Sequence, residues 1–474
     1  MSDTSVVVVG GGVSGLAAAW RLVQRAPGVR VTVVEQSDRL GGDLRTEMLD
    51  ADTGLVVDVG AEAMLARRPE AVALAEEVGL GDDLVHPATT RAAIWSRGAL
   101  HPMPSGTVMG VPGDPSSLTG VLTPEEIAVV AREPALPAPP TQGDVDVASF
   151  VAGRMGRAVV DRLVEPLLGG VYAGHSDRLS LRATVPVLWP AAVHGQSLLD
   201  TVRQHAISSG STGTAAGSSS APVFAGIRGG VGRLVDALRE RLTEAGADVR
   251  TRACAQVLRA GSTSGWEVEL GPAGRGETLR ANAVVVALPA RRAGRLLGDV
   301  SPDAGRLLED VTTASMAVAT FLLPGSVLDG YEISGFLVPP VEGLLVKGAT
   351  FSSRKWEWVH EDARGQAVVR ASIGRAGDEA ELQVPDEVLL KRAANELSQI
   401  LRRPIPARAS LLTRWGGALP QYEVGHVDRV AQVRGAVDEL RGVAVAGASY
   451  DGVGIPACVA SADLAVEKVL TDLG

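Results

Sequence analysis

The polar and apolar positions of this chain fall into blocks of two different periods. Ser5 to Val9 is rich in valine, which predicts a strand buried on both faces of a parallel sheet. From Ser14 to Gln24 the pattern turns helical, with Leu16, Trp20 and Val23 on one face. Val29 to Glu35 reads as a second strand, so residues 5–35 form one strand–helix–strand unit. Pro69 opens a helix that Gly79 closes. Residues 86–120 are punctuated by Pro and Gly and predict short strands and loops. Residues 124–205 read as helices broken by prolines. The run from Ser208 to Ser220 is low in complexity and predicts a flexible loop.

A glycine-opened helix follows at Leu234 to Ala245, then strands at 247–258, 266–271 and 283–288. Alternation over 315–323, 334–338, 345–351 and 367–373 predicts a second sheet. Residues 386–402 read as a helix. The chain closes as strand (Val443 to Ala446), glycine turn, and helix (Pro456 to Leu470). No internal repeat is visible. Nucleotide-binding patterns at both ends and in the middle imply a discontinuous dinucleotide domain with a substrate domain inserted in it.

Composition narrows the picture. The 474 residues carry 45 Lys+Arg against 55 Asp+Glu, a net charge of −10. No basic stripe interrupts that acidity, which argues against a nucleic-acid partner. The only cysteines are Cys254 and Cys458, too far apart for a CxxC motif, an all-cysteine zinc site or an iron–sulfur cluster. The seven histidines show no ligand spacing, so no metal is expected. The apolar run Val6 to Trp20 lacks a basic flank and stops at Arg21, short of a membrane span. The expected location is cytoplasmic.

Three glycine-rich blocks carry the chemistry. Gly10-Gly11-Gly12-Val13-Ser14-Gly15 lies between a strand and a helix, where free N–H groups and the helix dipole meet a pyrophosphate. Glu35 ends the next strand, placed to accept hydrogen bonds from ribose hydroxyls. Arg39-Leu-Gly41-Gly42 permits close backbone approach between cations. Gly447-Ala-Ser-Tyr-Asp-Gly-Val-Gly454-Ile455-Pro456 opens the last helix, with Pro456 suited to its first turn.

This combination resembles the FAD-dependent amine oxidase and protoporphyrinogen oxidase superfamily. Asp58-Val-Gly60-Ala61, Gly229-Gly230-Val-Gly232-Arg-Leu234 and Val284-Val-Val-Ala-Leu-Pro289 resemble further landmarks of it, in the right order. Leu65-Ala-Arg67-Arg68-Pro69, Trp95 to Pro104, Lys347 to Trp356 and Arg414 to Tyr422 are similar to the bacterial coproporphyrinogen III and protoporphyrinogen oxidase branch. The strand Ser315 to Phe321 lacks the lysine that many amine oxidases carry near the flavin.

The resemblance implies an α/β fold with α+β insertions: a discontinuous Rossmann-like FAD-binding domain, an inserted mixed-sheet substrate domain and a mostly helical subdomain. The implied boundaries are 1–85, 222–300 and 410–474 for FAD, 86–120 and 301–409 for substrate, and 121–221 for the helices. It implies FAD contacts at Gly10, Gly12, Val13, Ser14, Gly15, Glu35, Gln36, Arg39, Gly41, Gly42, Gly60, Ala61, Cys254, Gly447, Gly454, Ile455 and Pro456. Arg91 matches a position where an arginine faces the substrate; Lys347 and Arg67 are further candidates for carboxylate contacts. The implied reaction is oxygen-dependent oxidation of coproporphyrinogen III, with hydride passing to flavin N5 and no catalytic base assigned. Six electrons would leave the macrocycle and three hydrogen peroxides form. Protoporphyrinogen IX, or an amine oxidase or desaturase reaction, is the alternative, and a non-catalytic flavin scaffold is the reading from outside enzymes. The expected partners are the porphyrinogen and O2, with room for contact with a downstream ferrochelatase.

Overall fold

A computed structural model describes residues 4–208, 222–262, 265–271 and 276–474. The predicted Ser/Gly loop at 208–220 lies, beyond Ser208, outside the described residues.

The first sheet is parallel and five-stranded. Its order is Asp248–Arg250, Arg30–Val34, Ser5–Val9, Ala283–Val286, Val443–Val445. The valine run is buried on both faces, as its lack of alternation requires. Val6 and Val8 meet the helices Val13–Arg25, Arg233–Glu244 and Ile455–Leu473 through Leu16, Leu234, Leu238 and Val459. Val7 and Val9 point the other way, onto a cluster holding Leu258, Trp266, Val268, Leu296 and Val433. Each fully buried valine contributes about 1.5–3 kcal/mol of transfer free energy.

The second sheet is mixed and seven-stranded. Its order is Ala409–Pro420, Thr313–Pro324, Gln366–Ile373, Val346–Phe351, Gly335–Leu337, Ala93–Ser96, Ala99–Pro102. All neighbours run antiparallel except Gly335–Leu337 with Ala93–Ser96. Alternation sets its faces. Ala317, Ala319, Phe321 and Leu323 pack toward the helix Asp386–Leu401. Val318 and Leu322 meet Val57, Trp356, Trp358 and Trp415 on the opposite side.

A third core gathers the helices between Pro124 and Ser208, around Phe150, Leu163, Leu168 and Leu198. Within it, Val160–Val164 forms one π-helical turn.

The structure divides one predicted strand. Residues 247–258 form two strands in different sheets: Asp248–Arg250 joins the parallel sheet, and Ala255–Ala260 pairs with Trp266–Leu270. The chain turns at Arg252, whose φ is 56°. There Arg252 N–H donates to Ser37 O at 2.7 Å and Ala253 N–H to Glu35 O at 2.8 Å. Three helices that the apolar pattern did not single out follow the strands: Ala290–Leu297, Pro302–Glu309 and His426–Asp438. Among the described residues no helix is long and apolar enough to cross a membrane. Among them, too, no cluster of His, Cys, Asp and Glu could hold a metal ion.

Candidate active site

The glycine blocks converge on one cleft between the two sheets. Its larger part has a volume of about 280 Å³ and is lined by Gly10, Gly12, Val13, Ser14, Glu35, Gln36, Gly41, Gly42, Ala61, Gly447 and Ile455. Thr313, Gly417, Ala418 and Pro420 close it from the mixed sheet. A second part of about 270 Å³ shares Gln36, Leu288 and Arg292 with the first and adds Cys254.

Local geometry explains why these residues meet. Gly10 has φ 113°, and a Cβ on Gly15 would stand 1.8 Å from Gly10 O, so the first turn needs both glycines. Glu35 locks that turn by accepting Gly11 N–H and Ser37 N–H, each at 2.8 Å. Gly41 N–H donates to Gly11 O at 2.8 Å, which joins the first glycine block to the second. Arg39 donates to Gly42 O at 2.7 Å, with its guanidinium 5.9 Å from the Trp415 ring centroid.

The cleft suits an anionic dinucleotide. Gly12 begins the helix Val13–Arg25 without a side-chain cap, and the first bond back to it comes from Leu16 N–H. The first-turn amides, Ser14 among them, therefore face the cleft at the positive end of the helix dipole. Gly454 begins the helix Ile455–Leu473 in the same way, with Pro456 in its first turn. A Cβ on Gly12 would touch nothing within 4 Å, leaving open room against the glycine turn.

Some implied contacts lie behind the lining. Gly15 packs against Gly10, Arg39 braces the second turn, and Gly454 and Pro456 start the last helix without lining the cleft. Other lining residues were not assigned from sequence: Asp43, Arg292 and Cys458. Arg292 donates to the Gln36 side chain. Burial pushes the Asp43 carboxyl up to about 6, against the pull of Arg39. Burial likewise pushes the Cys458 thiol up to about 11.

A neighbouring cavity of about 480 Å³ lies on the mixed sheet. Met316, Val318, Gly348, Thr350, Arg370 and Ser372 line it from the strands, and Leu167, Gly170, Val171, Phe224 and Phe336 make it chiefly apolar. Gly60 and Glu62 line this cavity while Ala61 between them lines the cleft, so three consecutive residues separate the two spaces.

Charge in the cavity is concentrated on that partition. Glu62 accepts from Lys355 Nζ at 2.6 Å, from Ser352 Oγ at 3.2 Å, and from Arg370. Arg370 also donates to Gly60 O at 2.6 Å. Burial would raise the Glu62 carboxyl, but Lys355 and Arg370 outweigh it and hold the group down at about 2. The Lys355 ammonium lies 5.0 Å from the Trp356 ring centroid and 5.8 Å from that of Phe224.

The three sequence candidates for substrate contact do not line the cavity. Arg91 sits beside it, since Ala92 and Ser334 line the wall and Arg91 O accepts from Ser334. Its side chain is 68% exposed and pairs with Glu332 at 2.9 Å. Arg67 is exposed. Lys347 is buried with no partner for its Nζ, and burial plus the nearby Arg375 push it down to about 7. Lys355, Arg370 and Glu62 were missed. One signal was available: in the alternation of 366–373, Arg370 shares the face of Val368 and Ser372, where a charge needs a partner.

The match to known proteins agrees with this layout. A family model for flavin containing amine oxidoreductase matches residues 13–470. The chain belongs to this family; it is an oxidoreductase and its cofactor is FAD. Among individual proteins it is similar to the coproporphyrinogen III oxidase of Mycobacterium tuberculosis (strain CDC 1551 / Oshkosh), 39% identical over 479 residues, covering 100% of this chain and 99% of that one. It is also similar to the coproporphyrinogen III oxidase of Bacillus subtilis (strain 168), 32% identical over 483 residues with 100% of both chains covered. A crystal structure from Exiguobacterium sp. 255-15 superposes with a TM-score of 0.84 at 30% identity, covering 100% of this chain and 99% of that one.

Proposed function

We propose that this protein oxidises coproporphyrinogen III to coproporphyrin III with FAD and oxygen, removing six electrons and forming three hydrogen peroxides. The observation that carries the reading is the chiefly apolar cavity with Lys355 and Arg370 in its wall, which meets the cleft along the segment Gly60, Ala61 and Glu62. An apolar macrocycle bearing carboxylates matches that lining. Bound FAD supplies the two-electron acceptor. The protein's part is to hold the macrocycle against the partition, exclude water with Leu167, Val171 and Phe336, and neutralise carboxylate charge. The names of the full-length relatives support the same substrate. We assign residues 1–85, 222–300 and 410–474 to FAD binding, 86–120 and 301–409 to substrate binding, and 121–221 to a helical subdomain.

Met316 lines the cavity from the strand that resembles the one on which many amine oxidases carry a lysine, which favours a porphyrinogen over an amine. The test is porphyrin fluorescence in air with coproporphyrinogen III and protoporphyrinogen IX in parallel, corrected for autoxidation. Faster turnover of the first is expected. Turnover of neither by flavin-loaded protein overturns the reading and leaves an amine substrate ahead.

A further inference from the structure

The Glu62 cluster has more donors than its own carboxylate uses. A lysine ammonium has three N–H donors. Among the described residues, the Lys355 Nζ donates to Glu62 alone. The Arg370 Nε is buried without a partner. Both side chains line the cavity, and two cations face one carboxylate there. The next acid, Asp58, is turned away, accepting from Thr46 Oγ1 at 2.7 Å and Val231 N–H at 3.1 Å. Glu62 thus keeps the buried Arg370 and the partly buried Lys355 in place and leaves donors to spare.

We infer that Lys355 and Arg370 receive the substrate carboxylate nearest the bridging carbon presented to the cofactor, and that this favours the tetracarboxylate over the dicarboxylate macrocycle. The inference rests on the porphyrinogen reading above. The cluster stands on the partition itself, so whatever reacts across that partition places its neighbouring substituents beside Lys355. In coproporphyrinogen III every pyrrole carries a propionate, and three of the four bridging carbons are flanked by at least one. In protoporphyrinogen IX only one bridging carbon is so flanked, and the others present vinyl or methyl groups to the cations. A vinyl group there strips water from the ammonium and leaves its N–H donors beyond the Glu62 bond without acceptors, which is unfavourable. Successive oxidations at different bridging carbons find the same receptor in the tetracarboxylate. Lys355 is the specificity-determining residue, with its ammonium placed beside the aromatic rings of Phe224 and Trp356.

The test compares wild type, Lys355→Met and Lys355→Arg as flavin-loaded full chains. Arg370 remains the counter-ion of Glu62 in both variants. The readouts are KM and kcat for both porphyrinogens, and the affinity for coproporphyrin III by fluorescence quenching. Lys355→Met is expected to raise KM for coproporphyrinogen III and weaken coproporphyrin III binding by about tenfold or more, the loss of one charge-assisted hydrogen bond. Its preference over protoporphyrinogen IX falls, and Lys355→Arg restores most of it. A wild type that oxidises neither porphyrinogen overturns the functional reading. A wild type that oxidises coproporphyrinogen III, with Lys355→Met keeping both its KM and its coproporphyrin III affinity, overturns this inference alone. A measurement without variants guards against misfolding: KM for coproporphyrinogen III should climb more steeply with salt than KM for protoporphyrinogen IX, and equal slopes count against the receptor.

Discussion

The Tyr422 hydroxyl accepts the Gly452 N–H at 2.7 Å and donates to Ala448 O at 2.5 Å. One buried phenol therefore ties two points of the turn whose Gly447, Ala448, Ser449 and Val453 line the cleft proposed for FAD. The ring is fixed by stacking on His426, with centroids 3.8 Å apart, and His426 Nε2 is bonded to Tyr450 O at 3.0 Å. The phenol holds this turn from outside the cleft.

Tyr422→Phe keeps the ring and removes only that tie. The half-buried Gly452 amide loses its acceptor, a cost of about 1 kcal/mol. The expected result is a small fall in melting temperature and a larger fall in the ratio of flavin to protein absorbance after gel filtration. A variant that retains flavin as wild type does would show that the turn holds its shape without the hydroxyl.

Gly12 and Gly15 separate two uses of glycine. At Gly15 an added Cβ would meet Gly10 O, so Gly15→Ala damages the fold itself. At Gly12 an added Cβ meets nothing, and the backbone there (φ −73°, ψ 176°) suits any residue. Gly12→Ala should leave the melting temperature of flavin-free protein unchanged while weakening FAD by about tenfold or more, equivalent to about 1.4 kcal/mol. FAD fluorescence titration reads this directly, and equal affinities would show that the cofactor does not approach Gly12.

Those glycines were legible in the sequence because their demand is local. A strand of consecutive valines, a glycine turn and a terminal glutamate lie within one short stretch, so the positions of Val6, Gly10 and Glu35 follow from spacing alone. The cation cluster has no such spacing. Glu62, Lys355 and Arg370 come from three distant segments that only the mixed sheet and the Gly60 turn bring together. Lys347 was named as a candidate beside the resemblance, and its strand shows why its side chain does not reach the cavity wall. The pairing of that strand shifts register between Val346 and Gly348, a local irregularity at Lys347 that a sequence likeness does not carry. The break at Arg252 was hidden similarly, because one apolar pattern runs through a turn into another sheet.

Glu62 sets a pH limit on the partition. Its carboxyl is held at about 2 in the fold against an ordinary value of 4.5. A lowered carboxyl contributes stability that is complete above 4.5 and is lost as pH falls from there toward 2. Wild type should therefore lose melting temperature between about pH 5 and pH 3, and Glu62→Gln should lose less over that range. At neutral pH the same variant leaves two cations facing a neutral amide and costs about 3–5 kcal/mol. Parallel melting curves for the two proteins across the acid range would count against the assignment.

Lys347 carries the opposite sign. Burial first, and then Arg375, bring its amine from 10.5 down to about 7. Between those values the unfolded chain binds a proton that the folded chain does not, so stability from this group rises with pH. Below about pH 7 the folded protein carries a buried ammonium with no hydrogen-bond partner. Lys347→Met replaces it with an apolar chain of similar length and should stabilise the protein at pH 6 by about 1–4 kcal/mol, the range seen when buried charges are exchanged for well-packed apolar residues. The advantage should shrink as pH rises and the wild-type amine loses its proton. Coproporphyrinogen turnover is expected to survive, since Lys347 does not line the cavity. A variant that melts below wild type at pH 6 would mean that the ammonium has a stabilising partner after all. A collapse of KM would return Lys347 to the substrate site.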